Sequence, residues 1–264
     1  MIDLHSHILF DIEGDDGSRS EEMSLKMLRM AADSGTSHIF ATPHMHRHEV
    51  VPSWDSIVER ASYLQKRAEE EGISITIHTG AEISLDYDTL KYLPGNGDRA
   101  YCLGNSEYIL LELTPQSEAD TVEKLFYELR LRGYNLILAH PERYHRIMHH
   151  PERILKWMHD GLLTQCNVGS FNGLFGESAE RNVKNLYRHR MICFLGSDGH
   201  RDVWRNPDTT EAHEAITAFT GDDSFWDRCS RNAEKVMNGK ILYPDLPETY
   251  EVKKKGFFSR LFGK

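Results

Sequence analysis

The sequence predicts an α/β fold of the parallel (β/α)-barrel type, and three observations carry that prediction. The chain has 264 residues, close to the roughly 250 typical of such barrels. Short apolar runs alternate with longer amphipathic stretches, a pattern that needs parallel strands joined by crossover helices. Residues able to hold a metal recur at the ends of these runs: six of the seven finish in or just before one. Barrels collect their chemistry at the carboxyl ends of the strands. A doubly wound open sheet also fits the alternation, but it concentrates its site at one switch point.

Taken in order, strands are expected at 1–5, 38–42, 73–79, 108–113, 135–139, 162–167 and 192–196. Helices are expected at 20–34, 53–71, 118–132, 151–160 and 177–190, with a pair after Pro207. Ser20, followed by Glu21 and Glu22, reads as a helix start with acids facing the positive end of the helix dipole. Gly35, Gly72, Gly133 and Gly161 stand where a helix should stop before the next strand. No repeat, low-complexity stretch or Gly/Ser linker divides the body. One domain is therefore expected over 1–248, followed by a tail over 249–264.

A hydrophobic content of 39% and a charged content of 27% fit a soluble globular protein. The formal charge of −10 argues against general nucleic-acid binding; setting aside the five positive charges of Lys253, Lys254, Lys255, Arg260 and Lys264 leaves −15 on the body. An acidic body that handles an anion needs local positive charge, from metals or arginines. The four cysteines form no C-x-x-C, and none begins a C-x5-R loop, so neither a disulfide framework nor a cysteine-based phosphatase loop is expected. The first strand starts at Ile2 and no apolar run approaches the roughly 20 residues of a membrane helix, which predicts a cytoplasmic protein.

His5 and His7 open the chemistry. Two imidazoles at i and i+2 in an extended segment point to the same side and can grip one ion. Asp16, His44, Glu82, Glu112, His140, Asp198 and His200 complete a set of nine candidate ligands. Five imidazoles and four carboxylates exceed what one tetrahedral ion can use, so two or three divalent ions are expected. Mixed N/O ligation suits manganese, iron or zinc better than calcium or copper; manganese is the leading expectation, with iron, zinc or magnesium as alternatives. Glu82, central in sequence order, is the candidate bridge. Glu112 is a carboxylate in an otherwise apolar strand, costly unless paired or metal-bound. Asp15 and Asp16 lie in an Asp-Asp-Gly turn, and either can serve as the ligand. Gln165 and Asn167 end a strand that supplies no ligand; they either hydrogen-bond ligands from behind or cap the strand.

The remaining histidines are expected to be structural or solvated. His46 and His48 trail His44 in a polar loop and are placed on the surface, as are His145, His149 and His150. His38, His78, His159, His189 and His213 have no evident partners.

The segments Met-Ile-Asp-Leu-His-Ser-His, Asp-Asp-Gly, Ala-Thr-Pro-His, Gly-Ala-Glu, Leu-Glu-Leu, Ala-His-Pro-Glu-Arg-Tyr and Ser-Asp-Gly-His occur in order over residues 1 to about 240. As a set they resemble the polymerase-and-histidinol-phosphatase (PHP) family, and within it the metal-dependent protein-tyrosine phosphatases of bacterial capsule and exopolysaccharide clusters. The resemblance implies a distorted seven-stranded, TIM-like barrel with a trinuclear centre. His5, His7, Glu82 and Asp198 would hold one ion, Glu82, Glu112 and His140 a second, and Asp16, His44 and His200 a third. It also implies that Arg143 binds the substrate phosphate together with a second arginine, for which Arg205 is preferred over Arg201. The loop at residues 10–16 is longer than the usual form, and the tail lies outside the match.

The metal constellation predicts hydrolysis of a phosphomonoester by a metal-activated hydroxide, and the resemblance implies protein phosphotyrosine as the leading substrate. Arg143 and Arg205 would orient the phosphoryl group, and a metal-bound species or His44 or His200 would assist the leaving phenolate. A small-molecule phosphatase acting on a substrate such as histidinol phosphate, or an interaction module that only binds metal, are the alternatives. A bacterial tyrosine kinase is the expected partner. The tail places Phe257, Phe258, Leu261 and Phe262 on one face if helical, so it either contacts an anionic membrane or partner, or is a disordered end.

Overall fold

The computed structural model describes residues 1–114, 117–222 and 224–250. Its strands are β1 (Ile2–Ser6), β2 (His38–Ala41), β3 (His44–Met45), β4 (Thr76–Thr79), β5 (Glu82–Ser84), β6 (Tyr108–Glu112), β7 (Asn135–Ala139), β8 (Leu163–Asn167) and β9 (Phe194–Gly196). The helices are α1 (Glu21–Asp33), α2 (Trp54–Glu70), α3 (Ala119–Leu131), α4 (Pro151–His159), α5 (Glu177–Arg188), α6 (Thr210–Thr220) and α7 (Ser224–Met237). Every helix of the sequence reading is present, and all strand pairings are parallel.

Nine strands replace the expected seven because two runs are interrupted. β2 and β3 form one run broken at Thr42-Pro43, where proline offers no ladder N–H. β4 and β5 form another, broken at Gly80-Ala81, where the Leu103 side chain packs closely over the bare backbone of Gly80. The halves pair separately, β2 with β4 and β3 with β5. Counted as runs, the ladder follows chain order from β1 to β9. It then returns to its start, since His7 N–H donates to Gly199 O at 2.8 Å and Asp198 N–H to His5 O at 2.8 Å. The result is a distorted seven-run barrel whose two hydrogen-bonded sheets meet at the broken strands.

Local chemistry places the helices. Ser20 caps α1 by accepting from Met23 N–H, and Ser53 caps α2 by accepting from Ser56 N–H. Gly35 and Gly133 follow their helices at φ 90° and 91°, the left-handed conformation that stops a helix. α1 buries Leu25, Met27, Leu28 and Ala31, and α3 buries Val122, Leu125, Phe126 and Leu129, in each case the apolar stripe of the helix. Packing extends to Tyr250, which stacks on His189 at 3.9 Å between ring centroids. The amphipathic segment expected beyond residue 250 lies outside the described residues, and no helix among those described is long and apolar enough to cross a membrane.

Candidate metal centre

All nine candidate ligands converge at the carboxyl ends of the strands. His5 lies in β1 and His7 just beyond it, His44 begins β3, Glu82 begins β5, Glu112 ends β6, and His140 follows β7. Asp198 and His200 lie just past β9, and Asp16 comes from the loop between β1 and α1. Seven are buried, while the side chains of Asp16 and Glu112 are 43% and 25% exposed. His140 and Asp198 adopt left-handed φ values of 33° and 52°, which non-glycine residues seldom take; the backbone turns sharply at both strand ends.

Glu82 is central in space as well as in sequence. Its Oε2 lies 3.0 Å from His44 Nδ1, 3.3 Å from His7 Nε2 and 3.4 Å from His5 Nε2, while Oε1 lies 2.7 Å from His140 Nε2. Asp198 Oδ1 lies 3.7 Å from both His5 Nε2 and His7 Nε2. On the other flank Asp16 Oδ1 lies 3.4 Å from His44 Nε2 and 3.3 Å from His200 Nε2. His44 thus faces Glu82 with one ring nitrogen and Asp16 with the other. Glu112 Oε2 lies 3.8 Å from His44 Nδ1 and accepts a hydrogen bond from Ser84 Oγ.

Hydrogen bonding behind the cluster decides what these groups present. The Asp198 carboxylate can only accept, so Asn167 Nδ2 donates to it at 2.7 Å. Asn167 Oδ1 must then accept from Gln165 Nε2, and Gln165 Oε1 from His5 Nδ1–H at 2.9 Å. The same argument puts the Nδ1 proton of His7 against Asp15 Oδ1 at 2.8 Å and that of His200 against Asp198 O at 2.9 Å. Three imidazoles therefore turn their Nε2 lone pairs inward, and those of His5 and His7 face each other at 3.2 Å. Opposed ring nitrogens beside buried carboxylates attract positive charge, and nitrogen and oxygen donors converging in this way fit divalent metal ions.

The electrostatics agree. Burial pushes His5 down, but Glu82 and Asp198 raise it to about 9; burial likewise opposes Glu82 and Asp16 at His44, which rises to about 10. Burial raises Asp198, yet His5, Arg205, His200 and Arg143 hold its carboxyl well below the usual range. Burial and the charge of Glu82 lift Glu112 to about 7. The protein concentrates negative charge here and needs positive charge to balance it.

The two aspartates of the turn separate cleanly. Asp15 bonds His7 Nδ1, His44 N–H and Gly17 N–H, so its oxygens are engaged behind the cluster, whereas Asp16 Oδ1 points into it. Arg143 Nη1 and Arg205 Nη2 both reach Asp198, at 2.7 and 2.6 Å. Arg201 is instead spent on the backbone carbonyls of Asp16, Gly17 and His200. A cavity of about 370 Å³ adjoins the cluster, lined by Glu112, Thr114, His140, Arg143 and Tyr144 among others.

Some residues differ from the sequence reading. His46, expected on the surface, is buried with Nδ1 3.2 Å from Asp86, because its loop folds back beside the barrel mouth. His38 and His78, without evident partners in sequence, face each other at 3.1 Å across paired strands. Three contributors were not picked out at all. Arg47 lies 2.7 Å from Asp16 Oδ1; buried Asp3 accepts from the N–H groups of His5 and Ser197; and buried Glu142 accepts from Asn167 N–H and Ser170 Oγ. Only Asp3 and Glu142 had a signal, each being an acid inside or beside an apolar strand.

Fold and donor cluster together define a barrel protein with a candidate multinuclear metal centre. Residues 1–238 match the family model described as capsular polysaccharide synthesis, CpsB/CapC, and the chain belongs to that family. It is 31% identical to the tyrosine-protein phosphatase YwqE of Bacillus subtilis, over 98% of this chain and 100% of that one. It is 26% identical to the tyrosine-protein phosphatase CpsB of Streptococcus agalactiae, over 92% and 100% of the two chains. A crystal structure from work on YwqE of Bacillus subtilis and CpsB of Streptococcus pneumoniae, described as unique metal-dependent tyrosine phosphatases, superposes with a TM-score of 0.86. It has 30% identity and covers 96% of this chain and 100% of that one.

Proposed function

We propose that this protein is a metal-dependent protein-tyrosine phosphatase, with residues 1–248 as the catalytic unit. The observation that carries the reading is the convergence of the Arg143 and Arg205 guanidiniums on Asp198 at the edge of the donor cluster. Two forked donors beside a site that demands cations suit a phosphoryl dianion.

His5, His7, Glu82 and Asp198 form one donor group, Glu82, Glu112 and His140 a second, and Asp16, His44 and His200 a third. Divalent ions held there, manganese first among them, would acidify water and neutralise charge on the phosphoryl group. Gln165, Asn167 and Asp15 fix the imidazole tautomers, so the Nε2 donors are set before any substrate arrives. Arg143 and Arg205 bind two phosphoryl oxygens and hold phosphorus in line with the nucleophile. No cysteine takes part: all four are buried, and burial pushes Cys193 up to about 11 and Cys102 to about 12. The substrate is a phosphotyrosine-bearing protein, with a bacterial tyrosine kinase of a capsule system as the favoured one.

The test strips the protein with a chelator, reconstitutes it with manganese, iron, zinc or magnesium, and compares phosphotyrosine peptide with histidinol phosphate. Metal-dependent turnover that prefers the peptide is expected. Full activity after stripping, or preference for histidinol phosphate, overturns the assignment.

A further inference from the structure

We infer that Phe175 is a positioning residue for the phosphate site, holding both arginines against one aromatic ring; this rests on the phosphate-binding role proposed above. The Arg143 guanidinium carbon lies 4.8 Å from the centroid of the Phe175 ring, and that of Arg205 lies 5.4 Å from it. Each guanidinium is thus fixed on two sides, by an Asp198 oxygen and by the ring. Arg205 also lies 5.9 Å from the Trp204 ring, but among the described aromatic rings only Phe175 lies against both guanidiniums. Two like charges brought to one anion repel each other before the anion arrives. The negative face of an aromatic ring offsets that repulsion without competing for the phosphate, as a further carboxylate would. Arg205 Nε is buried and has no hydrogen-bond partner, so Asp198 and the ring are what hold this guanidinium.

The loop that carries Phe175 is built to hold it there. It runs from the turn Val168–Ser170 to α5, with Leu174 N–H donating to Gly169 O at 2.9 Å and Gly176 N–H to Gly173 O at 2.9 Å. A Cβ at Gly169 would lie 2.7 Å from Leu174 Cδ2 and 3.2 Å from Phe175 Cε2, so the ring is seated by close approach over a bare backbone. Seating an apolar ring beside two cations over a glycine gives it a place in the site that solvent shielding alone would not require.

The experiment uses the metal-reconstituted full chain with inorganic phosphate as the probe, titrated calorimetrically, beside KM and kcat on phosphotyrosine peptide. Phe175→Leu, which keeps bulk but removes the aromatic face, should weaken phosphate binding about tenfold and raise KM more than it lowers kcat. Phe175→Tyr should behave as wild type, and Phe175→Met, which fills the same space without an aromatic face, should reproduce the leucine defect. Metal content and melting temperature should stay unchanged in Phe175→Leu. Wild-type phosphate affinity in Phe175→Leu overturns the inference, as does an equal loss in Phe175→Tyr or a loss of metal. Should Phe175→Leu fail to fold, wild-type phosphate affinity in Phe175→Met overturns it equally. A wild-type protein that binds phosphate but hydrolyses no phosphotyrosine defeats the proposed function alone.

Discussion

Asp15 accepts the Nδ1 proton of His7 at 2.8 Å, and this bond turns the His7 Nε2 lone pair into the donor cluster. Burial pushes the Asp15 carboxyl up, but the adjoining His7 and His44 imidazoles bring it down to about 2, so it is an anion at neutral pH. It also leaves Asp16 as the aspartate of the pair that faces the site.

Asp15→Ala should therefore lower metal affinity about 10- to 100-fold while the ion count at saturation is kept. Asp16→Ala should lower the count itself. Metal titration followed by elemental analysis distinguishes them, and identical behaviour of the two variants would contradict the division of roles.

Arg143 tests the phosphate site directly. A lysine keeps the charge but loses the fork, so both Arg143→Lys and Arg143→Ala should cut kcat/KM on phosphotyrosine peptide, the alanine by on the order of 100-fold. Metal content should not change. Arg201→Ala should instead lower the melting temperature, because Arg201 ties the 16–17 backbone to the segment after β9.

Glu142 lies between Pro141 and Arg143 in the turn that follows His140, and its Oε1 holds that turn against the end of β8. Removing the acceptor leaves two buried donors unpaired, so Glu142→Ala should cost about 3 kcal/mol. Burial raises the Glu142 pKa, so the neutral amide of Glu142→Gln should cost less than about 1 kcal/mol. Denaturant unfolding of both variants checks the difference; equal losses would remove the positioning role.

The thiols give a pH dependence with a definite sign. A thiol whose folded pKa is raised contributes its stability in full below the unfolded value near 9 and loses it as pH climbs towards the folded value. Those folded values are about 11 for Cys193 and about 12 for Cys102. Above pH 9 each thiol should cost about 1.4 kcal/mol per pH unit. Cys102→Ala should flatten the alkaline limb of stability measured by urea unfolding, and iodoacetamide at neutral pH should leave phosphatase activity intact. Rapid loss of activity on alkylation would reinstate a cysteine mechanism.

The alternation of strands and helices was legible because it depends on local periodicity: an amphipathic stripe such as Leu25, Leu28 and Ala31 is visible wherever the helix packs. So were the nine candidate ligands, since acids and histidines at strand ends are costly to bury without a partner. The breaks at Pro43 and Gly80 were not legible as breaks, because each depends on what the neighbouring strand and Leu103 require. His46 was misplaced for a related reason: a polar loop reads as solvated until Asp86 is brought beside it from another run.

The sequence by itself determined the barrel class and the set of candidate histidines and carboxylates, and its resemblance to a family pointed to Arg143 beside them. Only the tertiary structure decided that Asp15 stands behind His7 while Asp16 faces the cluster, that Arg205 rather than Arg201 meets Asp198, and that Phe175 lies under both guanidiniums. The physical reason is common to all three. Residue type fixes which chemistry a side chain can perform, but the direction of a lone pair, a guanidinium fork or a ring face is set by contacts between segments far apart in the chain.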